Sequence, residues 1–136
     1  MRIVLFVVAL SISGAALAAD KPCTKADAAN AQKALDRASS WPQMQKAWQD
    51  YRHCDGDATA EQFTDALMRL IIDWKNVDVF AGAMKDEQFK SFVHTHLQSP
   101  AAKDDLQDVY ARAKSRCPAG QDAFCAELAE AAKPKK

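Results

Sequence analysis

The sequence predicts an all-α fold, a compact disulfide-braced bundle of six or seven helices. Apolar residues recur at three- and four-residue steps along nearly the whole chain. No stretch alternates apolar and polar residues as a strand would, and glycine occurs only four times. The four cysteines, Cys23, Cys54, Cys117 and Cys125, are an even set suited to bracing so small a domain.

The first helix is expected from Thr24, where Thr24 and Asp27 stand at capping-box spacing, through an alanine-rich run to about Ser39. Ser40 then caps a second helix with Pro42 in its first turn, where the missing N–H costs nothing. Trp41, Met44, Trp48 and Tyr51 form its apolar stripe, with Trp41 and Tyr51 near the stripe's edges. After the loop "CDGD", Thr59 and Gln62 suggest a second capping box. Phe63, Ala66, Leu67, Leu70, Ile71 and Trp74 follow at helical spacing and mark the central core helix. A short helix through Val77 and Phe80 to Met84 comes next, and Asp86 caps another carrying Phe89, Phe92, Val93, His96 and Leu97 on one face. Ser99-Pro100 restarts the chain, and Ala102, Leu106, Val109, Tyr110 and Ala113 lead helically to Cys117. Pro118 and Gly120 turn it, Asp122 caps, and Phe124, Cys125 and Leu128 point the last helix inward.

The N-terminus reads as a signal peptide over residues 1–18: Arg2, an apolar run from Ile3, and small residues ending at Ala18. Ser11, Ser13 and Gly14 interrupt that run too early for a spanning helix, which needs about 20 apolar residues. Residues 19–136 then form one helical domain with a short basic tail, "KPKK", and no membrane insertion is expected after cleavage. Loss of Arg2 turns the balance of 18 basic and 18 acidic residues into a single net negative charge. Nucleic-acid binders and binders of anionic membranes need a concentrated basic surface, which this chain lacks. The leader's style implies the periplasm, or secretion.

In that compartment the four cysteines read as two disulfides, for which three connectivities exist. Local reasoning favours Cys23–Cys54 and Cys117–Cys125, since each pair brackets one helix–turn element. The chain-entropy model assigns ~3.5 kcal/mol to the longer loop and ~2.5 kcal/mol to the shorter. Zinc sites bring cysteines two to four residues apart, and redox sites use Cys-x-x-Cys. The stretch "CPAGQDAFC" does neither, so no metal or other cofactor is expected.

The remaining candidates favour structural explanations. His94 and His96, two apart, project to different faces of a helix; His96 belongs with the core and His94 with solvent. His53 reads as an exposed turn residue beside a disulfide. Asp55, Asp57, Thr59 and Glu61 alternate faintly like a calcium loop but lack its ligand spacing; Asp57 and Thr59 read as caps. Asp104, Asp105 and Asp108 complement a helix N-terminus. No serine sits in a nucleophile elbow, so no catalytic residue is assigned and the chain is not read as an enzyme.

At "CDGDATAEQFTDALMRLIIDWKNVDVF", "FVHTHL" and "AKSRCPAGQDAFCAELAEAAK", the chain resembles a group of small exported four-cysteine helical proteins of Gram-negative bacteria. The resemblance covers most of the mature chain and implies a helical fold and export. In its design the chain is also similar to periplasmic immunity proteins. Together these readings favour a protein-binding module with a protein partner, an inhibitor or immunity protein against a secreted toxin. Asp55, Asp57, Pro118 and Gly120 are the expected contacts. An envelope-stress chaperone or a structural protein is the alternative.

Overall fold

The computed structural model describes residues 21–134; the expected leader, residues 1–18, and the last two lysines lie outside the described residues. Seven α-helices run in order: α1 (Lys25–Arg37), α2 (Trp41–Tyr51), α3 (Asp57–Asp73), α4 (Val77–Ala83), α5 (Glu87–Leu97), α6 (Leu106–Ser115) and α7 (Asp122–Ala131). Two 3-10 turns, Arg52–Cys54 and Pro100–Ala102, interrupt the series, and no strand occurs among the described residues. The chain is an all-α bundle braced by the disulfides Cys23–Cys54 and Cys117–Cys125.

Several helix ends form as their residues dictate. Thr24 Oγ1 accepts from the Asp27 N–H at 3.0 Å while the Thr24 N–H donates to Asp27 Oδ2 at 3.4 Å, closing the capping box of α1. Ser40 accepts from the Gln43 N–H at 3.4 Å at the start of α2, with Pro42 in the first turn. Asp86 opens α5, accepting from the Gln88 N–H at 2.9 Å and from the Phe89 N–H at 3.2 Å.

Three expected caps, Asp57, Thr59 and Asp122, do not form. Helix α3 starts at Asp57, after Gly56, without a side-chain cap. The Thr59 hydroxyl turns back to the carbonyls of Cys54 and Gly56, so it serves the preceding turn and makes no box with Gln62. Asp122 is likewise the first residue of α7 and not its cap. There Gly120 reverses the chain at φ 81°, a conformation that favours glycine. The helix then opens on the backbone of Gln121, whose carbonyl accepts from the Cys125 N–H at 2.9 Å. The segment after Pro100 also departs from a single helix. Ala102 lies in a 3-10 turn that packs it, fully buried, against α3, and α6 begins only at Leu106.

Helix α3 is the hub, packing against α1, α2, α5 and α6. Phe63, Thr64, Ala66, Leu67, Met68, Leu70 and Ile71 are all buried, so its middle is enclosed on nearly every side. Its Arg69 Nη2 donates to the Leu35 carbonyl at 2.9 Å and to the Ala38 carbonyl at 3.2 Å. The Leu35 carbonyl also accepts from the Ala38 N–H at 3.1 Å, so Arg69 adds a second donor there and a donor to Ala38 at the end of α1. Helix α3 ends at Trp74, which takes the left-handed conformation at φ 53°, costly for a residue with a side chain. Its indole N–H donates to the Arg116 carbonyl at 2.9 Å, tying this end to the close of α6. Trp41 stacks on Phe80 with centroids 3.7 Å apart, and Phe124 meets Phe80 edge-on at 5.0 Å. These contacts join α2, α4 and α7 through favourable ring geometries.

Phe63 lies fully buried at the centre of α3. Phe63→Ala should therefore lower unfolding free energy by about 3–5 kcal/mol, read as a fall in the urea midpoint with an unchanged m-value.

Candidate functional site

The site is built around the corner Arg52–Gly56, between α2 and α3. Cys54 is buried and bonded to Cys23, with Cα atoms 4.9 Å apart, so the corner is fixed to the start of α1. All four cysteines are oxidised, leaving no thiol for nucleophilic or metal chemistry. Among the described residues no group of three or more His, Cys, Asp or Glu is placed to hold a metal ion. None of the described helices is long and apolar enough to cross a membrane.

Directly after Cys54, Asp55 turns inward. Its Oδ2 lies 2.9 Å from Nε2 of His96, which is 4% exposed on α5. His96 Nδ1 lies 2.7 Å from Oγ1 of Thr64, 1% exposed on α3. A carboxylate only accepts, so the hydrogen-bond network assigns a proton to Nε2. The hydroxyl of Thr64 also stands 3.1 Å from the Ala60 carbonyl. It can donate to a neutral imidazole, or turn to Ala60 and accept from a charged one. Either arrangement leaves both ring nitrogens paired, as a buried polar group requires. Phe63 and Phe92 flank the ring, with centroids 6.3 Å and 4.4 Å away.

This chain has the composition of a nucleophile–base–acid triad. Its hydroxyl is sealed in the core, however, and a substrate cannot reach it. The three residues join the corner to α3 and α5.

The other two histidines also meet carboxylates across elements. His53 Nε2 is 3.3 Å from Asp27 Oδ2 but off the line a hydrogen bond needs. With its side chain 12% exposed, His53 is enclosed, correcting the expectation of an exposed turn residue; the disulfide one position on pulls it against α1. His94 is half-buried, 3.2 Å from Glu127 on α7, where solvent exposure was expected. The Glu127 side chain of α7, reaching across to it, accounts for that difference. Lys90 joins the same cluster, and its hydrogen bond to Glu87 and the nearby Glu127 charge raise its pKa.

Outside the corner lies an open groove of about 1060 Å³, bordered by Lys21, Trp48, Arg52, Asp55, Glu87 and Gln88. Trp48 packs into the core against Phe89 and Phe92. Arg52 lies over its outer face, Cζ 5.5 Å from the ring centroid, a cation–π arrangement. Arg52 Nη1 also donates to Gln88 Oε1 at 2.6 Å.

Of the expected contacts, Asp55 therefore edges the groove while its carboxylate is engaged by His96. Asp57 opens α3, and its side chain lies outside the described ones. Pro118 is half-buried and Gly120 exposed at the α6–α7 corner, apart from the groove lining. Sequence reasoning gave Asp27 only its capping-box role and missed Thr64, Arg52, Gln88 and Glu127. The only signal available was Trp48 and Arg52 at i,i+4 spacing.

The Thr24 hydrogen bonds chiefly, with help from His53 and Lys21 and against partial burial, hold the Asp27 carboxyl below its usual range. A depressed carboxyl pKa stabilises the fold above the unfolded value, about 3.9, and that contribution is lost as pH falls through the folded value. Asp27→Asn should be less stable than the native chain at pH 7, and the gap should close below about pH 4 in urea titrations. Comparison of the chain with family models, with curated proteins and with solved structures finds no match.

Proposed function

We propose that the mature chain is a periplasmic or secreted protein-binding module, an inhibitor or immunity protein that occludes an enzyme. The observation that supports this reading is the groove beside the Cys54 corner, whose walls are held by a disulfide, a buried hydrogen-bond chain and a stacked arginine. A surface that keeps its shape loses little conformational entropy on binding, which favours a tight complex. Two disulfides fit an oxidising compartment. A catalytic role draws no support from the sealed Thr64 hydroxyl. The holdase alternative needs exposed apolar surface, and Val79 is the one large hydrophobic side chain exposed among the described residues.

The test is capture of exported proteins on immobilised mature chain, followed by assay of the captured enzyme. A stoichiometric complex with the enzyme inhibited is expected. Ser91→Arg, in the groove, should abolish it, whereas Ala119→Arg, at the α6–α7 corner, should leave it intact. Absence of a complex, or a captured enzyme of undiminished activity, contradicts the reading.

A further inference from the structure

The charges of the groove are not evenly matched. Three carboxylates border it, and each already has a partner: Asp50 meets Lys46 at 2.9 Å, Glu87 meets Lys90 at 3.1 Å, and Asp55 is hydrogen-bonded to the His96 ring at 2.9 Å. Lys21 lies 3.6 Å from Asp27, and His53 lies 3.3 Å from the same carboxylate. Among the described residues, Arg52 is the one basic side chain of the groove with no carboxylate within ion-pair distance.

Arg52 is also held in place. Its guanidinium lies over Trp48, itself fixed in the core, and is gripped by Gln88, whose backbone N–H is bound by the Asp86 cap. Its backbone belongs to the 3-10 turn that Cys54 ties to Cys23, and its carbonyl accepts from the Asp55 N–H at 3.0 Å. A guanidinium presents five N–H donors in a planar fork. Gln88 takes one, and the exposed remainder fits the two oxygens of a carboxylate.

We propose that Arg52 is the anchor for an acidic side chain of the partner protein, an aspartate or glutamate inserted into the groove. This rests on the protein-binding reading and adds the chemistry of the contact. A monoanionic carboxylate fits better than phosphate, because the bordering Asp50, Asp55 and Glu87 repel a more highly charged group. Arginine is enriched among the interface residues whose truncation costs the most binding energy.

Two measurements test the proposal. In the first, isotope-labelled mature protein is titrated with millimolar N-acetylglutamate N-methylamide at constant ionic strength. The neutral glutamine analogue and inorganic phosphate serve as comparison arms. A saturable shift of the Arg52 Nε–H and Gln88 side-chain resonances with the glutamate compound alone is expected. No shift, an equal shift with the glutamine compound, or a larger one with phosphate overturns it. In the second, the captured complex is measured with Arg52→Gln and Arg52→Lys, both checked for an unchanged urea midpoint. Kd should rise by roughly 30-fold or more with glutamine and by roughly tenfold with lysine, which keeps the charge and loses the fork. A rise under about threefold with glutamine overturns the anchor while leaving the protein-binding reading intact. If nothing is captured, that reading fails and the titration alone decides the anchor.

Discussion

A buried imidazole must find partners for both of its nitrogens, and in this protein that requirement locates the corner between α2 and α3. His96 sits in the core between Phe63 and Phe92, where an unpaired ring nitrogen would cost about 1–3 kcal/mol. Thr64 supplies one partner from the hub helix. The other has to come from outside the core, and Asp55 brings it by turning the chain inward directly after Cys54. The position of Asp55 in turn fixes Gly56 and the start of α3, because the Thr59 hydroxyl reaches back over the same turn. One polar chain thus joins the corner, the hub and α5.

The disulfide works on the same few residues from the other side. Cys23–Cys54 pins the corner to the start of α1, where the Thr24–Asp27 box and His53 meet. Covalent and hydrogen-bonded restraints therefore converge on Arg52–Gly56, and the groove lies on the outer face of this doubly held segment. The second disulfide acts elsewhere, closing the α6–α7 hairpin around Gly120. Rigidity at the groove follows from the scaffold and does not depend on a ligand being bound. That property suits a surface whose task is to fit a preformed partner.

What the sequence made legible was local. The capping box at Thr24, the Ser40 and Asp86 caps, the stripe of α3 and the glycine turn at Gly120 all depend on residues within a few positions of each other. The misread caps were also local: α3 opens at Asp57 after Gly56 with no side-chain cap, Thr59 serves the turn before it, and Gln121 opens α7 by backbone alone. The site itself was hidden because its pairs are distant in sequence. His96 and Asp55 are separated by 41 residues, Arg52 and Gln88 by 36, and Thr64 and His96 by 32. Periodicity placed His96 in the core correctly, yet nothing in its spacing named the carboxylate that would meet it. Likewise, the enclosure of His53 follows from the Cys23–Cys54 disulfide, whose pairing local reasoning favoured but whose effect on His53 no spacing indicated.

The central claim is that the Asp55–His96 contact is a coupled structural link, and a double-mutant cycle tests it most directly. Asp55→Ala, His96→Ala and the double variant are compared with the native chain by urea denaturation at neutral pH. A coupling energy of about 1 kcal/mol or more is predicted, with the double variant less destabilised than the sum of the singles. Additivity within about 0.5 kcal/mol would contradict the account, because the corner would then be held without the contact.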